Sequence, residues 1–297
     1  MNAGRFVQKL ADLRDTRAVG WAQLTDAFSA LSDEAVAYAP SGVDYRTVTV
    51  SQVPVELFAP PRGQGFLLFL HGGNYLLPVV DAYRRVAEAL ALRSGKTVAL
   101  VDYAIAPYVY PDALGEAYLV WEWLYGQDDR ICLLGDGSGA NMALQLALLL
   151  REDAVRMPKG LVLLSPQTDM TCSGRSYYDN YYLDVVYGRR HLSGADIPDA
   201  FKASPMWDYC RGMDLASPEL SPLMADLTGL PPCYIAVGSH EVVLSDATRF
   251  ADKAAEAEVD VTLTVGTGLF YAYPFFFRRF PEAKAAFDSL SAFIKSK

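Results

Sequence analysis

Two glycine-rich segments carry residue types that can stabilise negative charge. One is His71-Gly72-Gly73-Asn74, directly after an apolar run, and the other is Gly135 to Asn141, which lies between an apolar run and a helical pattern. Consecutive glycines let backbone N–H groups approach a ligand oxygen, and a helix N-terminus adds further donors. The sequence therefore predicts a site for a carbonyl oxygen, carboxylate or phosphate, lined by Gly72, Gly73, Asn74 and Ser138.

Ser138 is the hydroxyl residue of the second segment. A tight strand-turn-helix needs small residues before and after the turn, which Gly135 and Gly139 supply if Gly137 is the turn residue. A turn at Ser138 would instead place Asp136 where strand and helix nearly touch. We therefore expect Gly137 at the turn and the Ser138 hydroxyl bonded to backbone at the start of the helix.

The elements that would position these segments alternate along the chain, as in a largely parallel sheet covered by helices. The predicted strands are Phe66 to Leu70, Val98 to Val101, Ile131 to Leu134, Leu161 to Leu164, Tyr234 to Val237 and Val261 to Val265, preceded by a hairpin of Arg46 to Val50 and Val55 to Phe58. The predicted helices are Ala82 to Arg93, Leu114 to Leu124, Asn141 to Arg151, Asp246 to Glu258 and Glu282 to Lys295.

Two segments interrupt this alternation, residues 1 to about 40 and residues 168 to 228. We interpret both as parts of a helical cap over the carboxyl ends of the strands, within a single domain of residues 1–297. The second segment is rich in tyrosines that could line a pocket or only pack the cap: Tyr177, Tyr178, Tyr181, Tyr182 and Tyr187.

The ordered motifs resemble those of the hormone-sensitive-lipase-like carboxylesterases of the α/β-hydrolase superfamily. The family's HGGG, DYRLAP-type and GDSAGGN segments read here as HGGN (71–74), DYAIAP (102–107) and GDGSGAN (135–141). Later come SPLMADLTGLPP (221–232) and GSHE (238–241). The resemblance runs from about residue 45 to the C-terminus and implies an α/β-hydrolase fold with a mostly parallel, eight-stranded sheet.

The same resemblance predicts that the catalytic triad is missing. The family's nucleophile falls on Gly137, its acid on His240 and its histidine on Tyr271, and no histidine follows His240. His71 corresponds to a structural residue of the family that holds its loop. The resemblance thus implies an esterase scaffold without a Ser-His-Asp triad.

Three functions are compatible with this pattern. We expect a hydrolytically inactive protein that binds a small acyl or carboxylate-like ligand in the former substrate cleft. One alternative is a non-hydrolytic isomerase, lyase or cyclase in which His240 and Tyr271 transfer protons. Another is a working carboxylic-ester hydrolase that uses Ser138 as its nucleophile.

Composition excludes several other classes. The net charge of −9 argues against nucleic acid and anionic lipid partners. We expect no membrane span, no secretory signal and a cytoplasmic location, because no long uncharged apolar stretch occurs. The four cysteines have neither disulfide-framework nor metal-site spacing, so we expect no metal or cofactor. Cys132 and Cys233 lie in apolar strand-like runs and are expected to be buried free thiols. His191 has no motif and is expected to be solvated. The family resemblance implies a possible homodimer.

Overall fold

A mixed sheet forms the centre of the computed structural model, which describes residues 3–5, 8, 37–151, 157–188 and 205–297. Within these ranges the strands are β1 (Asp44–Val50), β2 (Val53–Ala59), β3 (Phe66–Leu70), β4 (Thr97–Val101), β5 (Ile131–Asp136), β6 (Leu161–Leu164), β7 (Cys233–Gly238) and β8 (Val261–Gly266). They pair in the order β1-β2-β4-β3-β5-β6-β7-β8. This confirms the mostly parallel, eight-stranded sheet predicted from the sequence.

The antiparallel part of the sheet lies at one edge. Strands β1 and β2 form a hairpin in which Val50 pairs with Val53, and β2 is antiparallel to β4. The two turn residues, Ser51 and Gln52, have φ values of 48° and 78°. Two successive positive φ values give a turn whose twist matches that of the strands. From β4 to β8 every pairing is parallel.

Helices join the parallel strands and cover the sheet. The described helices are α1 (Asp81–Ser94), α2 (Asp112–Tyr125), α3 (Ser138–Arg151), the short α4 (Ser176–Asp179), α5 (Leu244–Glu256) and α6 (Pro281–Ser296). Helix α1 packs against α6, and α2 packs against α3. Every residue of β5 and β7 is buried, which explains their nearly continuous apolar sequences. Helix α5 ends two residues earlier than predicted, and Glu258 has a left-handed φ of 61°.

The predicted functional segments meet at one edge of the sheet. The HGGN segment follows β3, Gly137 follows β5, His240 follows β7 and Tyr271 follows β8. Parallel strands end at the same edge, where open α/β sheets bind their ligands. The chain between β6 and β7 contains the predicted cap residues 168–228, of which 168–188 and 205–228 are described. Most of the predicted cap segment 1–40 lies outside the described residues, as does His191.

Candidate ligand-binding site

The turn between β5 and α3 is the centre of the candidate site. Gly137 has a φ of 53°, in the left-handed region, and Ser138 is already the first residue of α3. A Cβ atom on Gly135 would overlap the backbone of Gly139, and one on Gly139 would overlap the Leu70 carbonyl oxygen. Strand and helix therefore approach as closely as the sequence predicted, with Gly137 as the turn residue.

The Tyr271 ring occupies the space beside Gly137. A Cβ atom built on Gly137 would overlap the Tyr271 hydroxyl and lie 3.0 and 3.1 Å from its Cε2 and Cζ atoms. Real Cβ atoms almost never come this close to a neighbour. Tyr271 thus fills the volume into which any side chain at position 137 would project.

Asp136 joins three separate parts of the chain beneath this ring. Its Oδ2 atom accepts hydrogen bonds from the Tyr271 hydroxyl at 2.8 Å and from the Tyr83 hydroxyl of α1 at 3.0 Å. Its Oδ1 atom accepts the Gly72 N–H at 2.8 Å. The carboxyl group is only 1% exposed. The roles of Asp136 and Tyr83 are not evident from the sequence, because no local pattern links residues 72, 83, 136 and 271.

Burial dominates the electrostatics of this cluster. It raises the pKa of Asp136 to about 6, while the hydrogen bonds from Tyr271, Tyr83 and Gly72 act to lower that pKa. The pKa of Tyr271 is raised well above its usual value, first by burial and then by the Asp136 charge. At pH 7 the cluster therefore consists mainly of an ionised carboxylate and protonated phenols.

His71 has a structural environment. The side chain is fully buried, its Nδ1 atom lies 2.7 Å from the Gly72 carbonyl oxygen, and its ring stacks on Tyr103 at a centroid distance of 4.3 Å. Burial lowers the pKa of His71 to about 4, so the imidazole is neutral at pH 7. Tyr103 in turn donates to the His71 carbonyl oxygen at 2.5 Å. These contacts hold the loop after β3.

Two of the groups expected to bind an anion are already bonded within the protein. The Gly72 N–H donates to Asp136, as described, rather than to a ligand. The Asn74 N–H donates to the Ser138 hydroxyl oxygen at 3.0 Å, and Ser138 is 1% exposed. The Ser138 hydroxyl is thus bonded to backbone, as predicted, although its donor comes from the loop after β3 and not from α3 itself.

Among the described residues, no hydrogen bond joins His240 to Tyr271, the pair that one alternative function requires. The His240 N–H donates to the Leu269 carbonyl oxygen at 3.1 Å, and the ring is half-buried. Within the described part of the chain, no hydrogen bond joins the imidazole to another residue. The Tyr271 hydroxyl is directed to Asp136 instead. The geometry therefore offers no support for proton transfer between His240 and Tyr271.

Among the cap tyrosines, Tyr187 reaches the site. Its hydroxyl donates to Asn74 Oδ1 at 3.3 Å, and its ring meets Tyr271 edge-on at 6.2 Å. Tyr177 instead donates to Asp246 at 3.2 Å, beneath the cap. Tyr178 and Tyr182 are exposed. Tyr187 is thus the tyrosine of the described cap residues 168–188 that bounds the Tyr271 side of the site.

The cysteines and acidic groups do not form a metal centre in the described ranges. All four cysteines are free and buried, as predicted for Cys132 and Cys233, and burial raises the pKa of Cys132 to about 11. The described residues contain no cluster of three or more His, Cys, Asp or Glu side chains that could hold a metal ion. None of the described helices is long and apolar enough to cross a bilayer.

The sheet order, the turn at Gly137 and the loops around it define the class of protein. Residues 67–275 match the family described as alpha/beta hydrolase fold. The chain belongs to this family, within its hormone-sensitive-lipase-like esterase branch.

Relatives of known name support the assignment. The chain is 33% identical over 245 residues to an esterase of Acinetobacter venetianus, a match that covers 81% of this chain and 78% of the relative. It is 31% identical over 254 residues to an acetyl-hydrolase of Streptomyces hygroscopicus, covering 84% and 82%. A crystal structure of a hormone-sensitive lipase from a metagenome library superposes with a TM-score of 0.86 at 27% identity, covering 100% of this chain and 98% of that one.

Proposed function

We propose that this protein is an esterase-family member that does not hydrolyse esters and that binds a small organic molecule in the former substrate cleft. The observation that carries the proposal is the Tyr271 phenol, which lies where a nucleophilic side chain at position 137 would have to be. By resemblance, the family's nucleophile, acid and base correspond to Gly137, His240 and Tyr271. All three positions hold residues that cannot take those roles.

Ser138 is poorly placed to replace the nucleophile. Its side chain is 1% exposed and its hydroxyl oxygen accepts the Asn74 N–H. A serine needs an adjacent general base to attack an ester at a useful rate. The histidine of the same region, His71, is buried, and its Nδ1 is engaged with the Gly72 carbonyl oxygen. These contacts argue against hydrolysis through Ser138.

A binding role is supported by the residues of the site that are partly exposed at the surface. Tyr271 and Gly73 are both partly exposed, and the Tyr187 ring stands edge-on to Tyr271. Aromatic rings with polar tips are suited to hold a small organic ligand in a fixed orientation. The residues lie at the edge of the sheet where α/β proteins bind ligands.

Hydrolysis assays test the first half of the proposal. We expect no enzymatic turnover of p-nitrophenyl acetate or p-nitrophenyl butyrate, and no labelling by a fluorophosphonate probe. Ser138→Ala should leave this background unchanged. Turnover at ordinary enzyme rates that disappears in Ser138→Ala would instead establish a working carboxylesterase.

Restoring the family's residues provides the positive control. We expect the triple variant Gly137→Ser, His240→Asp, Tyr271→His to gain measurable p-nitrophenyl acetate hydrolysis and fluorophosphonate labelling, because it supplies a nucleophile and removes the ring that blocks it. Gly137→Ser alone should gain neither. A folded triple variant without activity would indicate that other parts of the cleft have changed as well.

A cytoplasmic location, a single-domain organisation and a homodimer remain predictions from the sequence. Sedimentation velocity of the purified chain would test the dimer directly.

A further inference from the structure

The direction of the hydrogen bonds around the Tyr271 hydroxyl restricts the kind of ligand that this site can bind. A tyrosine hydroxyl has one hydrogen to donate and lone pairs that accept. An ionised carboxylate can only accept, so the Tyr271 and Tyr83 hydrogens both point to Asp136 Oδ2, at 2.8 and 3.0 Å. The Tyr271 oxygen therefore has only lone pairs to offer a ligand.

Two of the neighbouring donors are used in the same way. The Gly72 N–H is directed to Asp136 Oδ1, and the Asn74 N–H is directed to the Ser138 hydroxyl. The buried charge at this point is the Asp136 carboxylate, and His71 beside it is neutral at pH 7. A ligand carboxylate near Tyr271 would thus meet a lone pair and a like charge.

We propose that the site at Tyr271 binds ligands through a hydrogen-bond-donating head group, best a primary ammonium and next a hydroxyl, and that it disfavours carboxylates. This inference rests on the proposed small-molecule function and replaces the carboxylate-like ligand expected from the sequence. The ammonium donates to the Tyr271 oxygen while its charge is stabilised by Asp136. The Tyr187 ring, edge-on to Tyr271, lies beside the same position.

Three probes with the same ring test the preference: benzylammonium, benzyl alcohol and benzoate, titrated at pH 7.5 with the full chain and followed by ligand-observed NMR. We expect benzylammonium to bind at least about tenfold more tightly than benzoate, with benzyl alcohol between them, since a hydrogen bond to a charged group contributes about this factor or more. Tyr271→Phe should weaken the binding of benzylammonium and benzyl alcohol, because it removes the acceptor, while the Asp136 charge should continue to disfavour benzoate. Tyr178→Phe, at an exposed cap tyrosine, is the matched control and should leave all three dissociation constants unchanged.

Asp136→Asn separates hydrogen-bond polarity from a general structural role. The Gly72 N–H requires an acceptor, so the asparagine oxygen must stay at the Oδ1 position and its NH₂ group must face Tyr271 and Tyr83. Both phenols would then accept from the amide, and the Tyr271 hydrogen would be free to point to the ligand. We expect the order of affinities to reverse, with benzoate binding more tightly than benzylammonium.

Several results would overturn the inference. These are equal or tighter binding of benzoate by the wild-type chain, an unchanged order in Asp136→Asn, or no binding of any probe. The hydrolysis assays do not depend on these titrations, so failure of this preference is distinguishable from failure of the proposed lack of esterase activity.

Discussion

At Gly137, both the backbone conformation and a neighbouring side chain disfavour a Cβ atom. The left-handed φ of 53° disfavours any residue with a Cβ atom, and the Tyr271 ring fills the space where that atom would lie. We expect Gly137→Ala to lower the free energy of unfolding by about 2–4 kcal/mol, from the backbone conformation and from overpacking. Urea denaturation monitored by circular dichroism would measure the loss.

Two further variants test whether the Tyr271 ring contributes to this loss of unfolding free energy. In a Tyr271→Ala background, Gly137→Ala should cost only the backbone part, about 1–2 kcal/mol. Gly115, in α2, has open space around its Cβ position, so Gly115→Ala should stabilise the protein by about 0.5–1 kcal/mol. An equal loss at Gly137 in both backgrounds would show that Tyr271 does not crowd this position.

The position of Gly137 was predictable from the sequence, but the partners of Asp136 were not. The spacing of Gly135 and Gly139 indicates a tight strand-turn-helix, and the structure has its turn where that spacing requires. The Asp136 cluster depends on contacts with Gly72, Tyr83 and Tyr271, which lie on three distant segments. Such contacts follow from the packing of the whole sheet and leave no local periodicity. The alternative in which His240 pairs with Tyr271 could not take these contacts into account.

Among the elements, α3 connects the turn at Gly137 to the base of the cap. Asn141, in its first turn, is 2% exposed and donates through Nδ2 to the Gln167 and Leu220 carbonyl oxygens, at 2.7 and 2.9 Å. Its Oδ1 atom accepts from Gln145 Nε2 at 2.6 Å. One amide thus holds Gln167, directly before the cap segment, and Leu220, within it, against the helix that follows the site.

Removing this amide should destabilise the protein strongly. We expect Asn141→Ala to cost about 3 kcal/mol of unfolding free energy, because it leaves buried carbonyl and amide groups unpaired. Gln127, which is exposed and donates to the Trp123 carbonyl oxygen at 3.1 Å, provides the control. Gln127→Ala should change stability by less than about 0.5 kcal/mol. Similar costs for the two substitutions would contradict the anchoring role of Asn141.

The elements themselves were largely predictable, and their physical origin explains why. Buried parallel strands such as β5 require nearly continuous apolar residues, so their positions are evident in the sequence. The exact ends of the helices are harder to predict. Helix α3, for example, begins at Ser138, three residues before the predicted start, because of the geometry of the turn. Which cap tyrosines face the site was not predictable, because tyrosines are equally suited to packing and to lining a pocket.

For the molecule as a whole, buried carboxyl groups give stability a pH dependence. Asp246 is fully buried and accepts from the Thr168 and Asp169 N–H groups at 3.0 Å and from the Tyr177 hydroxyl. Burial raises its pKa from 3.8 to about 8. Burial also raises the pKa of Glu241 well above its usual value. Folding therefore favours the protonated form of both groups.

We expect stability to fall as the pH rises from 6.5 to 8. In this range the folded chain still holds the Asp246 proton while the unfolded chain has released it. The stabilisation from that proton, complete below pH 3.8, is therefore lost as the pH approaches 8. The decrease attributable to Asp246 is about 1.5 kcal/mol. His71, whose pKa is lowered to about 4, has the opposite effect, but only below pH 6.5.

Urea denaturation at pH 6.5, 7.2 and 8 would measure this slope. Asp246→Asn should make the slope shallower, because its amide can keep the oxygen acceptor while removing the titration. A slope that is unchanged in Asp246→Asn would assign the pH dependence to other groups.

The Tyr271 ring beside Gly137 also constrains the order in which a nucleophile could be introduced at this site. A first mutation that adds a side chain at position 137 meets the ring and lowers stability before any catalytic gain can be selected. A first mutation at Tyr271 avoids the clash but gives up the hydrogen bond to Asp136 without supplying a nucleophile. A nucleophile at position 137 would therefore require both substitutions together, since neither single change is favourable on its own.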